Sequence, residues 1–488
     1  MAVQARDGDD GKRAGGFAPL LALVPAAMLL ALLARTVWDV DIFWQLKLGE
    51  LILDRGGPVT VEPFAVRHLG EPMPAVAWAG QAVMALARRI GGWNLLRVVD
   101  GLCWLGGFWA VAAACRWRSA AAPAVALALV LAFVAALPTA SIRPQSFACL
   151  CFGLLLALQR LGLRPLVTIA LGAPLLVAWQ NLHPSVSVGV AAMGLTALAG
   201  WLGWLRDRRS PVPWAPTVLA LLGLAAVFAT PDGVSILQTS ALNAKASIAI
   251  GASEWLPLWV PANHLNAVPV AVVVLVAVAL VWRRPRQVDA GELAVALGLL
   301  VLTLTAYRFV LFWAVAMVPV IARAAGAAGA ARPMRWAWVL WPVLAVAVFA
   351  PLLAPTRFAP TLPLAAVERL RREQVRGTVY GDFPFGGVII DAGYPAWRVA
   401  YDGRYYRYAR EEWQYNGGIE NGIVPLVDVI AKWHPAAFVL DAVHNAPIAG
   451  ELARSPRWRR IWARDGFVVY VPRYRRVSRP ASPGSAPR

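Results

Sequence analysis

From residue 17 to residue 354 the chain repeats one pattern: an apolar run about long enough to cross a bilayer, then a short polar turn. Water-soluble cores do not accommodate so many such runs, and a backbone in lipid must satisfy its own hydrogen bonds. The repetition therefore predicts a polytopic α-helical membrane protein. The predicted spans are 17–37, 95–115, 121–139, 145–161, 165–182, 185–205, 213–230, 266–282, 291–307, 309–325 and 336–354, about eleven in all. Composition agrees, since 59 % of the 488 residues are hydrophobic and 15 % charged, well outside the usual soluble range. The first run follows Lys12 and Arg13 and is long for a signal peptide, so it is expected to remain as an uncleaved span.

The formal charge of +19 does not point to nucleic acid, because the basic residues sit in short clusters between apolar runs, as topology signals do. Anionic lipid is the expected partner. Alternate connections carry Arg116/Arg118, Arg160/Arg164, Arg206/Arg208/Arg209, Arg283/Arg284/Arg286 and Arg323/Arg332/Arg335, which places them in the cytoplasm. The other connections, beginning at Asp39, Ser141, Asn181, Pro231 and Tyr307, then face outward, as does everything after the last span. This parity requires the apolar stretch 77–90, too short to cross before Arg88 and Arg89, to lie along the interface, with 42–54 as a second such helix. The expected domains are a cytoplasmic tail 1–16, a membrane domain 17–355 with a first outer loop 38–94, an extracytoplasmic α/β domain 356–474 and a disordered tail 475–488. Within the α/β domain, strands are expected at 378–380, 387–390, 398–401, 437–440 and 467–471, and helices near 363–373 and 420–433. Cys103, Cys115, Cys149 and Cys151 lie in apolar segments without metal-ligand or disulfide spacing.

The informative polar residues all fall in outward connections. In Trp38-Asp39-Val40-Asp41 two carboxylates one residue apart sit at a membrane boundary, where charge is costly and commonly serves an ion, proton or substrate. Asp41 is equally placed to cap the following helix. Arg143-Pro144 sets an arginine at a span end, to grip a lipid phosphate or to snorkel among headgroups. Asn181 and His183 concentrate an amide and an imidazole at the next outer turn, and Thr230-Pro231-Asp232-Gly233 reads as a turn. Glu254 precedes Trp255 in the long loop 233–265, as a second carboxylate or metal ligand, or simply an exposed acid. Arg308 lies between two nearly contiguous spans, where it needs carboxylate, phosphate or water. Arg97 and Asp100, three residues apart, are expected to pair with each other. In the C-terminal domain Asp402-Gly403-Arg404-Tyr405 joins an Asp-Gly turn to residues able to meet a sugar.

Taken in order, these motifs resemble those of uncharacterised bacterial membrane proteins related to the GT-C class of glycosyltransferases. The matching residues are Asp39/Asp41/Phe43/Trp44, Pro58 followed by Glu62-Pro63-Phe64-Ala65, Arg143-Pro144, Asn181/His183, Thr230-Pro231-Asp232-Gly233, Glu254-Trp255 and Asp402/Arg404. Gln45 stands where the group has histidine, and Ala77 where it has an acid before tryptophan. The resemblance implies a multi-pass enzyme of the bacterial cytoplasmic (inner) membrane that uses a polyprenyl-phosphate sugar. An aspartate would deprotonate the hydroxyl of a glycan or protein acceptor, with inversion at the sugar carbon. By that reading Asp41 is the base, Asp39 its partner, and Arg143 and Arg308 meet the donor phosphate. Glu254, His183 and Asn181 make secondary contacts, and Asp402, Arg404 and Tyr405 face the acceptor. A divalent cation such as Mg²⁺ or Mn²⁺ would bind Asp39, Asp41 and Glu254. A non-catalytic binder of lipid-linked glycan and a transporter are the alternatives; a transporter should carry charges along the middle of several spans.

Overall fold

A computed structural model describes residues 18–118, 120–326 and 340–473. The N-terminal tail 1–16, the C-terminal tail 475–488, and Lys12, Arg13, Arg332 and Arg335 lie outside the described residues. The chain divides into two compact units, one of residues up to 60 and 73–359, the other of 61–72 with 360 onward. The middle of the first outer loop, expected to belong wholly to the membrane domain, is therefore part of the second unit.

The first unit is helical: α1 (Ala18–Ala34), α2 (Asp41–Arg55), α3 (Trp78–Trp117), α4 (Ala122–Ala136), α5 (Gln145–Leu161), α6 (Pro165–Leu182), α7 (Val186–Arg206), α8 (Trp214–Ala226), α9 (Ser235–Ala249), α10 (His264–Arg283), α11 (Ala290–Thr305), α12 (Val310–Ala325) and α13 (Leu340–Phe349). Among the described residues six helices are long and apolar enough to cross a membrane, and other apolar helices are shorter. The expected loop helix 42–54 is α2. The other, 77–90, runs on into the span behind it as α3, interrupted at Gly91 and Gly92, where Gly92 takes φ 60°. Glycine tolerates that dihedral without a Cβ clash, so one continuous sequence makes two differently directed helices. Arg88 pairs with Glu50, and Arg89 with Asp54 at 2.7 Å, tying α2 to the first half of α3. Behind the break, α3 and α5 approach so closely that a Cβ on Gly107 or Gly153 would run into the partner backbone. Small residues permit such contact between apolar helices, where packing replaces the hydrophobic effect as the source of association.

Arg97 and Asp100 do not pair with each other. Asp100 is fully buried against Arg35, and Arg97 donates to the Leu33 carbonyl and to Asn94 Oδ1, the latter at 3.4 Å. Packing of α3 against α1 supplies partners that sequence spacing could not reveal. At one end of the bundle, Glu292 pairs with Arg160 at 2.8 Å and Arg323 at 3.0 Å, beside a cavity of about 260 Å³ that Arg118 also lines. Arg118, Arg160 and Arg323 thus line one cavity.

In the second unit, β1 (Gly377–Gly381), β2 (Trp397–Val399), β3 (Ala437–Asp441), β4 (Trp458–Arg464) and β5 (Phe467–Pro472) form one sheet of order β2-β1-β3-β5-β4. The first three are mutually parallel and the last two antiparallel additions. The helices are α14 (Leu364–Arg372), α15 (Gly386–Gly393), α16 (Arg410–Glu420), α17 (Leu426–Trp433) and α18 (Ala446–Arg454). The stretch 387–390, expected as a strand, is helical in α15. Its apolar run is buried throughout, and a short buried run has no periodicity to separate the two forms. The helix expected near 420–433 starts later, as α17, and is parted from α16 ahead of it by Gly422 at φ 72° and by Pro425. Strand β4 escaped notice because its arginines suit an exposed edge.

The borrowed segment 61–72 packs within this unit. Val399 N–H donates to the Phe64 carbonyl at 3.0 Å, and Ala65 bridges Val399. Glu62, 2 % exposed, accepts from Phe64 and Ala65 amides at 2.8 and 2.9 Å and from both terminal nitrogens of Arg404 at 2.7 and 2.8 Å.

Candidate active site at the helix ends of the first unit

Four connections of the first unit bring their charged side chains together. The chain leaves α1 and turns into α2 through Asp39 and Asp41. Asp39 Oδ1 accepts the Asp41 amide at 2.9 Å, while Asp41 Oδ1 accepts from Trp44 Nε1 at 3.0 Å. The capping role foreseen for Asp41 thus falls to Asp39, and Asp41 is held by a ring one helical turn on. Between α4 and α5, Arg143 lies 3.4 Å from Asp39 Oδ2 through Nη1 and donates to Glu254 Oε2 through Nη2 at 2.8 Å. Its Nε donates to Gln145 Oε1 at 3.1 Å, which fixes the plane of the guanidinium. Glu254, between α9 and α10, also faces Arg308 at 4.0 Å, and Arg308 stacks on Trp255 with its guanidinium carbon 3.7 Å from the ring centre. Arg143 is thus clamped at three points. Arg308 has the longer ion pair of the two cations.

Electrostatics separate the carboxylates. Burial, then the neighbouring Asp39 carboxylate, push Asp41 up to about 7, partly opposed by Trp44 and Arg143. Burial alone would also raise Glu254, but Arg143 and Arg308 outweigh it and hold that group down at about 2. One acid is a fixed anion, and the other is poised to exchange a proton near neutrality. Burial, with Arg308 and Arg143 next, pushes His183 down to about 3, so its imidazole is neutral. Its Nδ1 lies 2.8 Å from Ser185 Oγ, which Trp179 Nε1 also reaches at 3.0 Å.

Other expected roles are corrected by what the side chains touch. Asn181 accepts from Trp78 Nε1 at 2.7 Å and donates to the Val177 and Ala229 carbonyls, so it ties helices together. Asp39, Asp41 and Glu254, the expected metal set, share the cluster, but their ligand atoms do not all come within 4.8 Å of one another. The Arg143 guanidinium stands between Asp39 and Glu254, in the place a cation would take. Among the described residues, the three ligating side chains whose donor atoms lie within 4.8 Å of one another are Asp382, Glu420 and His444, in the second unit. Asp402 and Arg404, expected to meet an acceptor, are 0 % and 1 % exposed and are locked with Glu62. A charge cluster so buried has no face to offer. Tyr405 remains half-buried, its ring 5.3 Å from Phe383. Asp232 does more than form its turn, since it accepts the Ala75 amide at 2.9 Å just ahead of α3. Gln145 and Ser185 went unnoticed in the sequence, for nothing distinguishes one amide or hydroxyl from another until its partner is known.

Compared by sequence, the chain matches no described protein family and no curated protein. Among solved structures there are distant likenesses. The chain is similar along most of its length to ArnT from Cupriavidus metallidurans. For ArnT bound to undecaprenyl phosphate, the TM-score is 0.43 at 14 % identity, over 92 % of this chain and 97 % of that one. For the apo state, the values are 0.40 and 15 %, over 92 % and 96 %. A third similar structure is the arabinofuranosyltransferase AftD from Mycobacteria, at TM-score 0.44 and 14 % identity, over 94 % of this chain and 42 % of that one. At this distance the chemistry has to be read from the chain's own side chains.

Proposed function

We propose that this chain is a GT-C-like membrane glycosyltransferase that moves a sugar from a polyprenyl-phosphate donor to an envelope acceptor at the outer face of the cytoplasmic membrane. The observation that carries the reading is the meeting of Asp39, Asp41, Arg143, Glu254 and Arg308 from four helix connections, with one carboxyl poised near pH 7. A transporter reading is not favoured by so compact a group at the helix ends.

In the proposed reaction the Asp41 carboxylate removes the proton of an acceptor hydroxyl, and the oxygen attacks the anomeric carbon. The bond from that carbon to the phosphate oxygen breaks on the opposite side, its electron pair leaving with the lipid phosphate, so configuration inverts. General-base assistance of this type is worth about 10²–10⁴-fold. Arg308 and Arg143, the latter held in place by Gln145, supply positive charge to the departing phosphate; fixed donors of this kind stabilise charge as it develops. Asp39 keeps the Asp41 pKa high and anchors Arg143. Glu254 orients both guanidiniums and is not itself a proton carrier.

The test is turnover of radiolabelled polyprenyl-phosphate sugars by purified protein, wild type against Asp41→Asn. Transfer by wild type with a loss of at least about 10²-fold in the variant is expected. Equal turnover would remove Asp41 from the chemistry, and retention of label by wild type without transfer would replace an enzyme by a glycan binder. The orientation has its own check: a C-terminal alkaline phosphatase fusion should be active in cells, and a stable but silent fusion reverses it.

A further inference from the structure

The second unit carries a group of ligating side chains that the proposed transfer does not use. Asp382 directly follows β1, His444 lies three residues past the end of β3, and Glu420 is the last residue of α16. One donor atom from each lies within 4.8 Å of the others, and His444 Nε2 stands 3.4 Å from Glu420 Oε2. Two ligands held at about 2.0–2.1 Å from one tetrahedral ion are themselves about 3.3 Å apart, so this pair already has the edge length such a site requires. Asp382 has to close by no more than about 1.5 Å to complete three ligands.

The position in the sheet points the same way. In the order β2-β1-β3 the chain leaves β1 for a strand on one side and returns to a strand on the other. The carboxyl ends of β1 and β3 therefore flank the point where strand order reverses, the crevice in which open α/β sheets hold their ligands. Two of the ligating side chains, and the loop that carries the third, are also braced from behind. Asp382 Oδ1 accepts the Phe383 amide at 2.8 Å, and Glu420 Oε1 accepts from the buried Asn416 Nδ2 at 2.6 Å. Asp441 Oδ1 accepts the Val443 and His444 amides, both at 2.8 Å, which fixes the loop presenting the imidazole. Outer contacts of this type orient metal ligands and are felt in affinity.

We propose that Asp382, Glu420 and His444 bind one divalent transition-metal ion of the Zn²⁺ kind, with water in the remaining position. Two carboxylates and an imidazole are the donor set of borderline cations; a site for Ca²⁺ would use oxygen ligands throughout. The ion would tie α16 to the ends of β1 and β3 and leave one coordination position open to an oxygen ligand.

The test uses the full chain in detergent, stripped with chelator and titrated with Zn²⁺ by calorimetry. One saturable site is expected in wild type and in the Asp39→Asn/Asp41→Asn variant, and none in His444→Ala, whose side chain is 58 % exposed and whose loss the fold tolerates. Asn416→Ala, which removes only the brace on Glu420, is expected to raise the Kd about 10–100-fold. Absence of saturable binding by wild type, or equal binding by His444→Ala, overturns the proposal. Loss of the site in the Asp39/Asp41 variant alone would move the ion to the first unit and overturn it equally.

Discussion

Asp39→Asn should move the acid limb of the pH–rate profile to lower pH. Asp41 must be deprotonated to act as base. With its pKa pushed up to about 7 by burial and by Asp39, activity falls as the pH drops through that value. Asp39 Oδ1 lies 2.9 Å from the Asp41 amide nitrogen. That contact keeps the two carboxylates within roughly 6 Å of each other, given ordinary side-chain reach. At such a separation and an effective dielectric of about 20, their repulsion is about 2.8 kcal/mol, equivalent to about two pKa units. Arg143 attracts both groups and screens part of this, so a shift of about one unit is the expected result. The sign is fixed, because removing a negative neighbour favours the charged form of Asp41 and lowers its pKa. Burial, the larger cause, stays, so the limb should not fall to that of an ordinary carboxylate. Asparagine keeps the Oδ1 that accepts the amide, so the start of α2 is preserved. The assay is kcat/KM against pH, whose midpoint can be read even if the variant is slow because Arg143 has lost a partner. A limb that stays in place would show that Asp41 is not the titrating base, and one that moves upward would refute the charge coupling itself.

Three further outcomes follow from the same contacts. His183→Gln should leave the acid limb where it is, since a group held down at about 3 is already neutral across the working range; a displaced midpoint would restore histidine to the proton chemistry. Arg404→Leu should destabilise the second unit by about 3–5 kcal/mol, because Glu62 and Asp402 would be left buried and unpaired. Chemical denaturation followed by tryptophan fluorescence checks this, and a loss under about 1 kcal/mol would mean the pair is solvated. Ala77→Gly should stabilise the first unit by about 1 kcal/mol, because Ala77 sits at φ 56°, where a Cβ is strained. A lower melting temperature in detergent would show that its methyl group packs for more than the strain it causes.

Ala77 and Arg404 also show what a motif can and cannot say. The stretch Glu62-Pro63-Phe64-Ala65 and the pair Asp402/Arg404 were legible as recurring elements far apart in the chain. Their relation was not. They face each other across a buried guanidinium, and so explain the borrowed loop segment and not an acceptor contact. Ala77, where an acid was expected, lies in a left-handed turn that acidic and amide side chains enter more readily than alanine. The position has a backbone requirement that no spacing reveals.

The sequence by itself determined the helical membrane architecture, because the length of an apolar run and the alternation of arginines are properties of the chain in one dimension. It also placed the acids and arginines of interest in alternate connections, and those connections do meet. Only the tertiary structure decided which carboxyl two guanidiniums hold down and which one burial pushes up, that a guanidinium stands between Asp39 and Glu254, and that a different triad gathers at the sheet. Those outcomes depend on burial and on distances of a few ångströms between residues far apart in sequence. Helix crossing and loop docking set these distances, and one-dimensional periodicity carries no record of them.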